Sequence, residues 1–322
     1  MGTVTIRDVA RLANVSSATV SHVFNKTRFV SPEKTEQVLK AAKELNYTPN
    51  AYAKSFRTGK KNLIGFIVPD ISNRFFATII EAVETTLSQY NYKLIVANTK
   101  ETGTRELEHL SYFCSGVVDG LLIASTFKNY SDISKYLNPN LPVLFVDRKF
   151  DNMPWCSATI TNTDATYCAT SDLIQSGHTK IGYVAGIPHL STTKGRINGY
   201  LSAMRDAGIE VQESWITYGN SMKTSAEGCV QKLLQENCTA LIISNGVMSL
   251  DVANYLYRMK KTVPAVYFDD DYKLDMAPCF ATISQPSYEL GKTAAEQIMC
   301  LIDNPNQQNY HIILSGTYNR FK

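Results

Sequence analysis

From Asn62 onward the chain alternates short β-rich runs with amphipathic stretches, and it does so twice. The first pass reads NLIGFIVPD, FFATIIEAVETTLSQY, YKLIVANT, RELEHLSYFCSG, VDGLLIAS, ISKYL and PVLFVDR. After SATITNTD it resumes with YCATSDLIQSG, KIGYVAG, GRINGYLSAMRDAG, WITYG, AEGCVQKLLQEN, ALIISNG, DVANYLYRMK and PAVYFDD. Apolar runs without polar alternation suit strands buried on both faces, and such strands joined by helices build parallel, doubly wound sheets. The pattern predicts an α/β core of two doubly wound parallel-sheet lobes over 62–322. The last helix (SYELGKTAAEQIMCLIDN) and the strand YHIILSG are expected to return to the first lobe. That lobe then holds about 62–160 plus 288–322, and the second about 161–287.

The segment before this core is different in kind. Residues 1–60 hold ten Lys or Arg against four Asp or Glu, whereas the rest holds 22 against 25. A basic head on a mildly acidic body points to an anionic partner for the head. Its pattern is all-α. IRDVARLA places apolar residues at 6, 9, 10, 12 and 13, with Thr5 to cap it and Asp8 three residues on. Asn14 stops it, because Asn tolerates the left-handed backbone that ends helices. A second helix is expected from about Ser17 to Asn25 with Ser16 as its cap. A third runs from about Pro32 to Leu45, capped by Ser31, with Val38, Leu39, Ala42 and Leu45 as its stripe. Three short helices, the first two joined by a tight turn, form a helix-turn-helix unit over 1–48. Residues 49–61 read as a polar, basic linker with one or two helical turns.

The second helix lies in VSSATVSHVFNKTRFVS. It is short and rich in small hydroxyls, which suits a helix that must enter the DNA major groove without bulk at its start. Ser17, Ala18 and His22 can face base edges: His22 can donate to a guanine acceptor and Ala18 can touch a thymine methyl. The bland reading is a three-helix structural module with a solvated polar face.

VTIRDVARLANVSSATVSHVFN, then VSPEKTEQVLKAAKELNYTPNAYAKSFRTG, then IGFIVPDISNRFF together resemble the lactose-repressor (LacI/GalR) family. The likeness is nearly continuous over the head and first strand, and SATVSHVFNKTRFV looks especially like the purine and ribose repressor branch. The resemblance implies a helix-turn-helix head, a hinge helix, a periplasmic-binding-protein-like core, a homodimer on a pseudo-palindromic double-stranded DNA operator, and a small-molecule effector. It places Ser17, Ala18 and His22 at specificity positions, and Thr5, Ser16, Thr19, Ser21, Asn25 and Ser31 at DNA-backbone contacts. In the hinge, where the family carries a leucine wedge, this chain reads AKSFR. Phe56 therefore stands at the wedge position, and Phe is a residue type that can unstack a base step. Asn50, Ala53, Lys54 and Arg57 complete the hinge contacts.

In doubly wound sheets ligands sit beyond the carboxyl ends of strands. The residues that follow the strands here include Arg74, Phe75, Phe76, Arg148, Thr192, Lys194, Arg196, Asn245 and Asp269. The resemblance supports Phe75, Phe76, Thr192, Arg196, Asn245 and Asp269 as effector positions. Arg148 and Lys194 are added as candidate cations. Two departures bear on the ligand. Leu190 stands where the purine-binding branch has an arginine, and Gly246 replaces an aspartate common in the family. Leucine cannot replace an arginine's donors, so a purine's polar edge would go unpaired. The expected effector is a sugar or sugar derivative. A carboxylate or phosphate on it would use Arg148, Lys194 and Arg196; alternatively Arg148 pairs with a carboxylate and Lys194 faces solvent.

Other classes fit less well. A transport-type sugar-binding protein would need a secretory signal and no basic head. An α/β enzyme on sugars or nucleosides would need a nucleophile or phosphate-loop motif, and no G-x-S-x-G, H-E-x-x-H or G-x-x-x-x-G-K-[ST] is present. Five dispersed histidines and seven scattered cysteines without C-x-x-C suggest neither a metal site nor a disulfide frame. Asp269, Asp270 and Asp271 are adjacent, and adjacent residues rarely converge on one ion. No cofactor, no catalysis and no membrane partner are expected. The absence of an apolar leader points to the cytoplasm. A repressor is favoured over an activator, because a bent operator near a promoter obstructs polymerase.

Overall fold

The computed structural model describes residues 4–48, 59–221, 224–269, 279–305 and 307–321. The hinge candidates Asn50, Ala53, Lys54, Phe56 and Arg57, and the pair Asp270 and Asp271, lie outside the described residues. The chain divides into two compact units, Met1–Lys61 and Asn62–Lys322.

The first unit contains α1 (Ile6–Leu12), α2 (Ser17–Asn25) and α3 (Pro32–Glu44). Its helix ends are set by local chemistry. The Asp8 carboxylate accepts the Thr5 backbone N–H at 3.0 Å and the Thr5 hydroxyl at 2.7 Å. Asn14 adopts φ 50°, and the Val15 N–H then reaches back to the Ala10 carbonyl at 3.0 Å. The Ser16 hydroxyl accepts the Thr19 N–H at 3.1 Å, and Pro32 takes the first turn of α3. Val9, Ala10, Ala13, Val20, Val38, Ala41 and Ala42 form a core of their own. Two sequence expectations need correction. Leu39 is 50% exposed and Leu12 47% exposed. The buried stripe of α3 runs through positions 38, 41, 42 and 45, and residue 39 sits about 100° around the helix from 38.

The second unit begins with β1 (Leu63–Val68), α4 (Arg74–Gln89), β2 (Lys93–Asn98), α5 (Gly103–Tyr112), β3 (Gly120–Ile123), the short α6 (Tyr130–Ile133), β4 (Val143–Val146) and β5 (Cys156–Ile160). It continues with α7 (Asp164–Gln175), β6 (Ile181–Ala185), α8 (Ser191–Asp206), β7 (Ile216–Tyr218), α9 (Glu227–Gln235), β8 (Ala240–Ile243), α10 (Gly246–Arg258), β9 (Ala265–Phe268) and β10 (Cys279–Ser284). Then come α11 (Ser287–Asp303), β11 (His311–Leu314) and β12 (Thr317–Arg320). One sheet has the order β11-β5-β4-β3-β1-β2 and the other β12-β10-β9-β8-β6-β7. Every pairing is parallel except that of β12 with β10. Strands β3, β4, β5, β6, β8 and β9 are buried along their whole length, which is why their sequences do not alternate.

The helix α11 does return to the first lobe, where it packs along α4. The approach is close: a Cβ on Gly291 would lie 2.5 Å from the Ile79 carbonyl oxygen, so only glycine fits there. The end of the chain departs from expectation. Only β11 joins the first sheet; β12 crosses back and pairs with β10 in the second. Its own side chains hold it there. The Tyr318 hydroxyl donates to Asp172 on α7 at 2.5 Å, and Arg320 pairs with the same carboxylate while its guanidinium lies 4.7 Å from the Phe280 ring. The lobes are therefore joined by three crossings among the described residues, at 161–163, 285–286 and 315–316.

Candidate functional site

Each lobe has the same inner strand order, with the first strand between the second and third: β2-β1-β3-β4-β5 in one and β7-β6-β8-β9-β10 in the other. In such a sheet the switch point lies where the chain direction of winding reverses, beyond the ends of β1 and β3 or of β6 and β8. A cleft of about 600 Å³, part of it open solvent, opens there, with Asp70 beyond β1, Gly186 beyond β6, and Ser244 and Asn245 beyond β8. Seven of the expected effector residues line it: Phe75, Phe76, Arg148, Thr192, Arg196, Asn245 and Asp269. A larger hollow of about 930 Å³, much of it open solvent, adjoins the cleft beside the starts of α4 and α11 and shares Asn73, Phe75, Asp269 and Gln285 with it. The strand ends converge on the smaller cleft, so that is the candidate site.

The cleft is polar, and its polar groups are held in place. Arg196, 6% exposed, donates Nε to Asn162 Oδ1 at 2.7 Å, Nη2 to Gln285 Oε1 at 2.6 Å and Nη1 to the Ser244 carbonyl. Its guanidinium lies 4.3 Å from the centre of the Phe268 ring. Burial lowers its proton affinity, and the carboxylates of Asp147 and Asp269 offset that. Gln285 turns its other end to Asp269, donating Nε2 to both carboxylate oxygens at 2.9 and 3.2 Å. Asn245 caps α10 by accepting the Met248 N–H at 2.9 Å, and its amide donates to Ser221 Oγ at 3.0 Å.

Several residues around the cleft hold left-handed backbone without being glycine. Glu101 has φ 54°, Asp147 64°, Ser221 60° and Asp269 61°. Such conformations cost free energy and tend to gather where a side chain must be aimed. The Asp269 carboxylate lies close over position 246, where a side chain would have to displace it. A Cβ on Gly246 would stand 2.7 Å from Asp269 Oδ2. The Gly246 departure therefore makes room for the carboxylate.

The expected pair Phe75 and Phe76 divides its work. Phe76 is 3% exposed and belongs to the core, while Phe75 is half-buried and packs edge-on against it, centroids 5.2 Å apart. The cation expectations change more. Arg148 is locked to Glu101 by two bonds, Nη1–Oε2 at 2.9 Å and Nη2–Oε1 at 2.5 Å. Burial works against its charge, yet Glu101 and Asp147 hold the guanidinium above its usual range. Burial pushes the Asp147 carboxyl up against the pull of Arg148 and Arg196. Lys194 is exposed and does not line the main cleft; it borders a smaller cavity at the mouth. Its place on the solvent side of α8, two residues before the buried Arg196, accounts for this. Sequence reasoning missed Glu101 and Gln285. Neither carries a local signal, because Glu101 meets Arg148 across 47 residues and Gln285 meets Arg196 across 89.

On the head, Ser17 and Ala18 are exposed at the start of α2. The His22 ring is half-buried and spends Nδ1 on the Thr27 hydroxyl at 2.8 Å, which leaves Nε2 for an outside partner. The candidate phosphate-contact hydroxyls also serve locally. Ser16 Oγ meets Thr19 Oγ1 at 2.9 Å, Ser21 accepts the Asn25 amide at its carbonyl (2.8 Å) and hydroxyl (3.2 Å), and Ser31 caps α3. Phe29, 91% exposed, was not singled out in the sequence. Among the described residues no cluster of His, Cys, Asp and Glu is arranged to hold a metal, and no helix is long and apolar enough to cross a membrane.

A helix-turn-helix head joined to a two-lobed core with a polar interlobe cleft defines a DNA-binding regulator with an effector domain. Comparison with known proteins agrees. Residues 5–50 match the model of bacterial regulatory proteins of the lacI family, and residues 61–315 match that of periplasmic binding proteins and the sugar binding domain of the LacI family. The chain belongs to the LacI family of transcriptional regulators. It is 35% identical over 304 residues to the HTH-type transcriptional repressor PurR of Aliivibrio salmonicida, covering 92% of this chain and 91% of that one. It is 32% identical over 321 residues to the ribose operon repressor of Haemophilus influenzae, covering 97% and 96%. Its fold matches that of the Lac repressor dimer bound to operator and the anti-inducer ONPF, with a TM-score of 0.85 at 24% identity over 99% of this chain and 98% of that one.

Proposed function

We propose that this regulator is a repressor that binds a pseudo-palindromic operator as a homodimer, under the control of a sugar or sugar derivative held between its lobes. The head supplies base contacts from Ser17, Ala18 and His22. Thr5, Ser16, Thr19, Ser21, Asn25 and Ser31 fix its register on the phosphates. The hinge residues Asn50, Ala53, Lys54 and Arg57 follow the backbone, and Phe56 wedges a central base step. The observation that carries the effector reading is the Asp269–Gln285–Arg196 chain, which lines the second-lobe side of the cleft and ends on the Asp269 carboxylate. A carboxylate accepts a pair of sugar hydroxyls, Asn245 and Thr192 supply further polar partners, and the Phe75 ring offers an apolar face for a pyranose or furanose. Leu190, buried at the start of α8, brings no donor for a purine's edge. The protein binds its ligand without turning it over, and it works in the cytoplasm on DNA.

A thermal-shift panel of pentoses, hexoses, sugar acids, sugar phosphates, hypoxanthine and guanine tests the ligand class. A ligand at a hundredfold excess over its Kd adds about 2.7 kcal/mol to apparent stability. At least one sugar is expected to do so, and Asp269→Ala should remove the shift. Stabilisation by hypoxanthine or guanine alone would contradict the sugar assignment.

A further inference from the structure

A second hollow of about 440 Å³, part of it open solvent, lies at the mouth of the cleft, on the other side of Leu190 and Arg148, which line both spaces. Its walls come from both lobes. The first lobe contributes Lys128 and Lys149, and the second contributes His189 and Lys194. None of the three lysines takes part in an ion pair among the described residues. One carboxylate, Asp151, also lines it, and Glu101 already neutralises Arg148. The cavity therefore keeps a cationic surplus.

Two further features lie at the partition between the two spaces. Leu190 occupies the cap position of α8, a sixteen-residue helix, and brings no side-chain oxygen to its first N–H groups. Helix starts of this kind favour negative charge. Arg148 is 7% exposed, and its Nε has no hydrogen-bond partner; the nearest carboxylate oxygen in an ion pair with it, Asp147 Oδ2, is 3.8 Å away, beyond hydrogen-bond reach. A buried N–H left without an acceptor is costly and rare in a native protein. An oxygen-rich anion at the partition between the two spaces would supply the missing acceptor.

We infer that the mouth cavity is an anion subsite: the effector's sugar ring sits in the main cleft and a phosphate or carboxylate on it sits among Lys128, Lys149, Lys194 and the start of α8. This rests on the effector reading given above. It also assigns the cations differently from the sequence, since Lys194 acts with Lys128 and Lys149 at the mouth while Arg196 stays bonded to the interlobe crossings. The subsite is divided between the lobes, so an anion bridging it holds them together. The His189 ring nitrogen already meets the Thr126 carbonyl across the mouth at 2.9 Å, and the Lys149 N–H meets Ser191 Oγ at 3.2 Å.

The test is calorimetry on the full chain with matched ligands: ribose and ribose 5-phosphate; glucose, glucose 6-phosphate and glucuronate; and inorganic phosphate. Each is titrated into the wild type, into the triple variant Lys128→Ala, Lys149→Ala, Lys194→Ala, and into a control triple, Lys180→Ala, Lys232→Ala, Lys261→Ala. The expected result is an anionic sugar that binds at least tenfold tighter than its neutral parent. That advantage should vanish in the mouth variant and survive in the control, with neutral-sugar affinity unchanged. Whether the phosphates or glucuronate show the advantage identifies the anion. Equal binding of neutral and anionic sugars, or an advantage that survives the mouth substitutions, overturns the subsite and leaves the sugar reading standing. If no sugar binds at all, the sugar reading falls, and inorganic phosphate decides the subsite. Saturable binding lost only in the mouth variant upholds it, and no saturable binding overturns it.

Discussion

Arg196→Ala is expected to lower the stability of the core by about 3–5 kcal/mol and to abolish effector binding. The size follows from what the guanidinium touches. Asn162 lies in the crossing from β5 to α7, and Gln285 in the crossing from β10 to α11. Arg196 therefore ties two of the three interlobe crossings to the end of β8 through Ser244. Truncation strands the buried Ser244 carbonyl and two half-buried acceptors, on Asn162 and Gln285, and removes one of the positive charges that offset Asp147 and Asp269. Hydrogen bonds to charged groups contribute about 1.5–3 kcal/mol each, and they are lost together here. Arg196→Lys should recover little, because an ammonium cannot reproduce three fixed directions or the stack on Phe268. Both tryptophans, Trp155 and Trp215, belong to the core unit, so tryptophan fluorescence follows its unfolding without the head. A midpoint in Arg196→Ala equal to the wild type's would show that the Arg196 bonds to the interlobe crossings do not hold the core together.

Val20→Asp should unfold the head and leave the core intact. Val20 is fully buried in a small core built from three helices. A unit of this size has little stability to lose, and an unpaired buried carboxylate costs more than an ordinary core substitution. Specific DNA binding should fall to background, because Ser17, Ala18 and His22 are positioned only by α2. The readout separates the units: far-UV circular dichroism should lose helical signal, while the tryptophan transition and sugar binding remain. Loss of both transitions together would show that the head and core do not fold as separate units.

The helix ends and the alternation of the core could be read directly from the sequence, because local chemistry sets them. Asn14, Ser16, Ser31 and Pro32 each act within four residues of their own position. The strands that are buried on both faces stand out for the same reason. What could not be read depends on distance. Strands β10 and β12 carry no distinct pattern, and β12 belongs to the second lobe through Asp172, 148 residues from Arg320. In α3 the one apolar residue that falls off the stripe, Leu39, looks like its neighbours until the helix phase is known. At the site, residue types were legible and partners were not. Whether Arg148 serves a ligand or a carboxylate stays open in the sequence, because its partner, Glu101, lies on another loop. Gly246 looked like a lost aspartate, and its role as the space for Asp269 appears only when β9 is set beside β8 and α10.

In the proposed function, a sugar in the interlobe cleft is coupled to DNA binding by the head. The most direct measurement is operator affinity with and without ligand, using a duplex enriched from a random pool by the full-length protein. The enriched sequence should be pseudo-palindromic, and a sugar or sugar derivative that stabilises the core should change its affinity. The expected change is about 5–150-fold, the usual range of coupling between two sites. It should disappear in Asp269→Ala. Enrichment of no sequence over random DNA, or operator affinity that stays the same at saturating levels of every ligand that binds the core, would contradict the account.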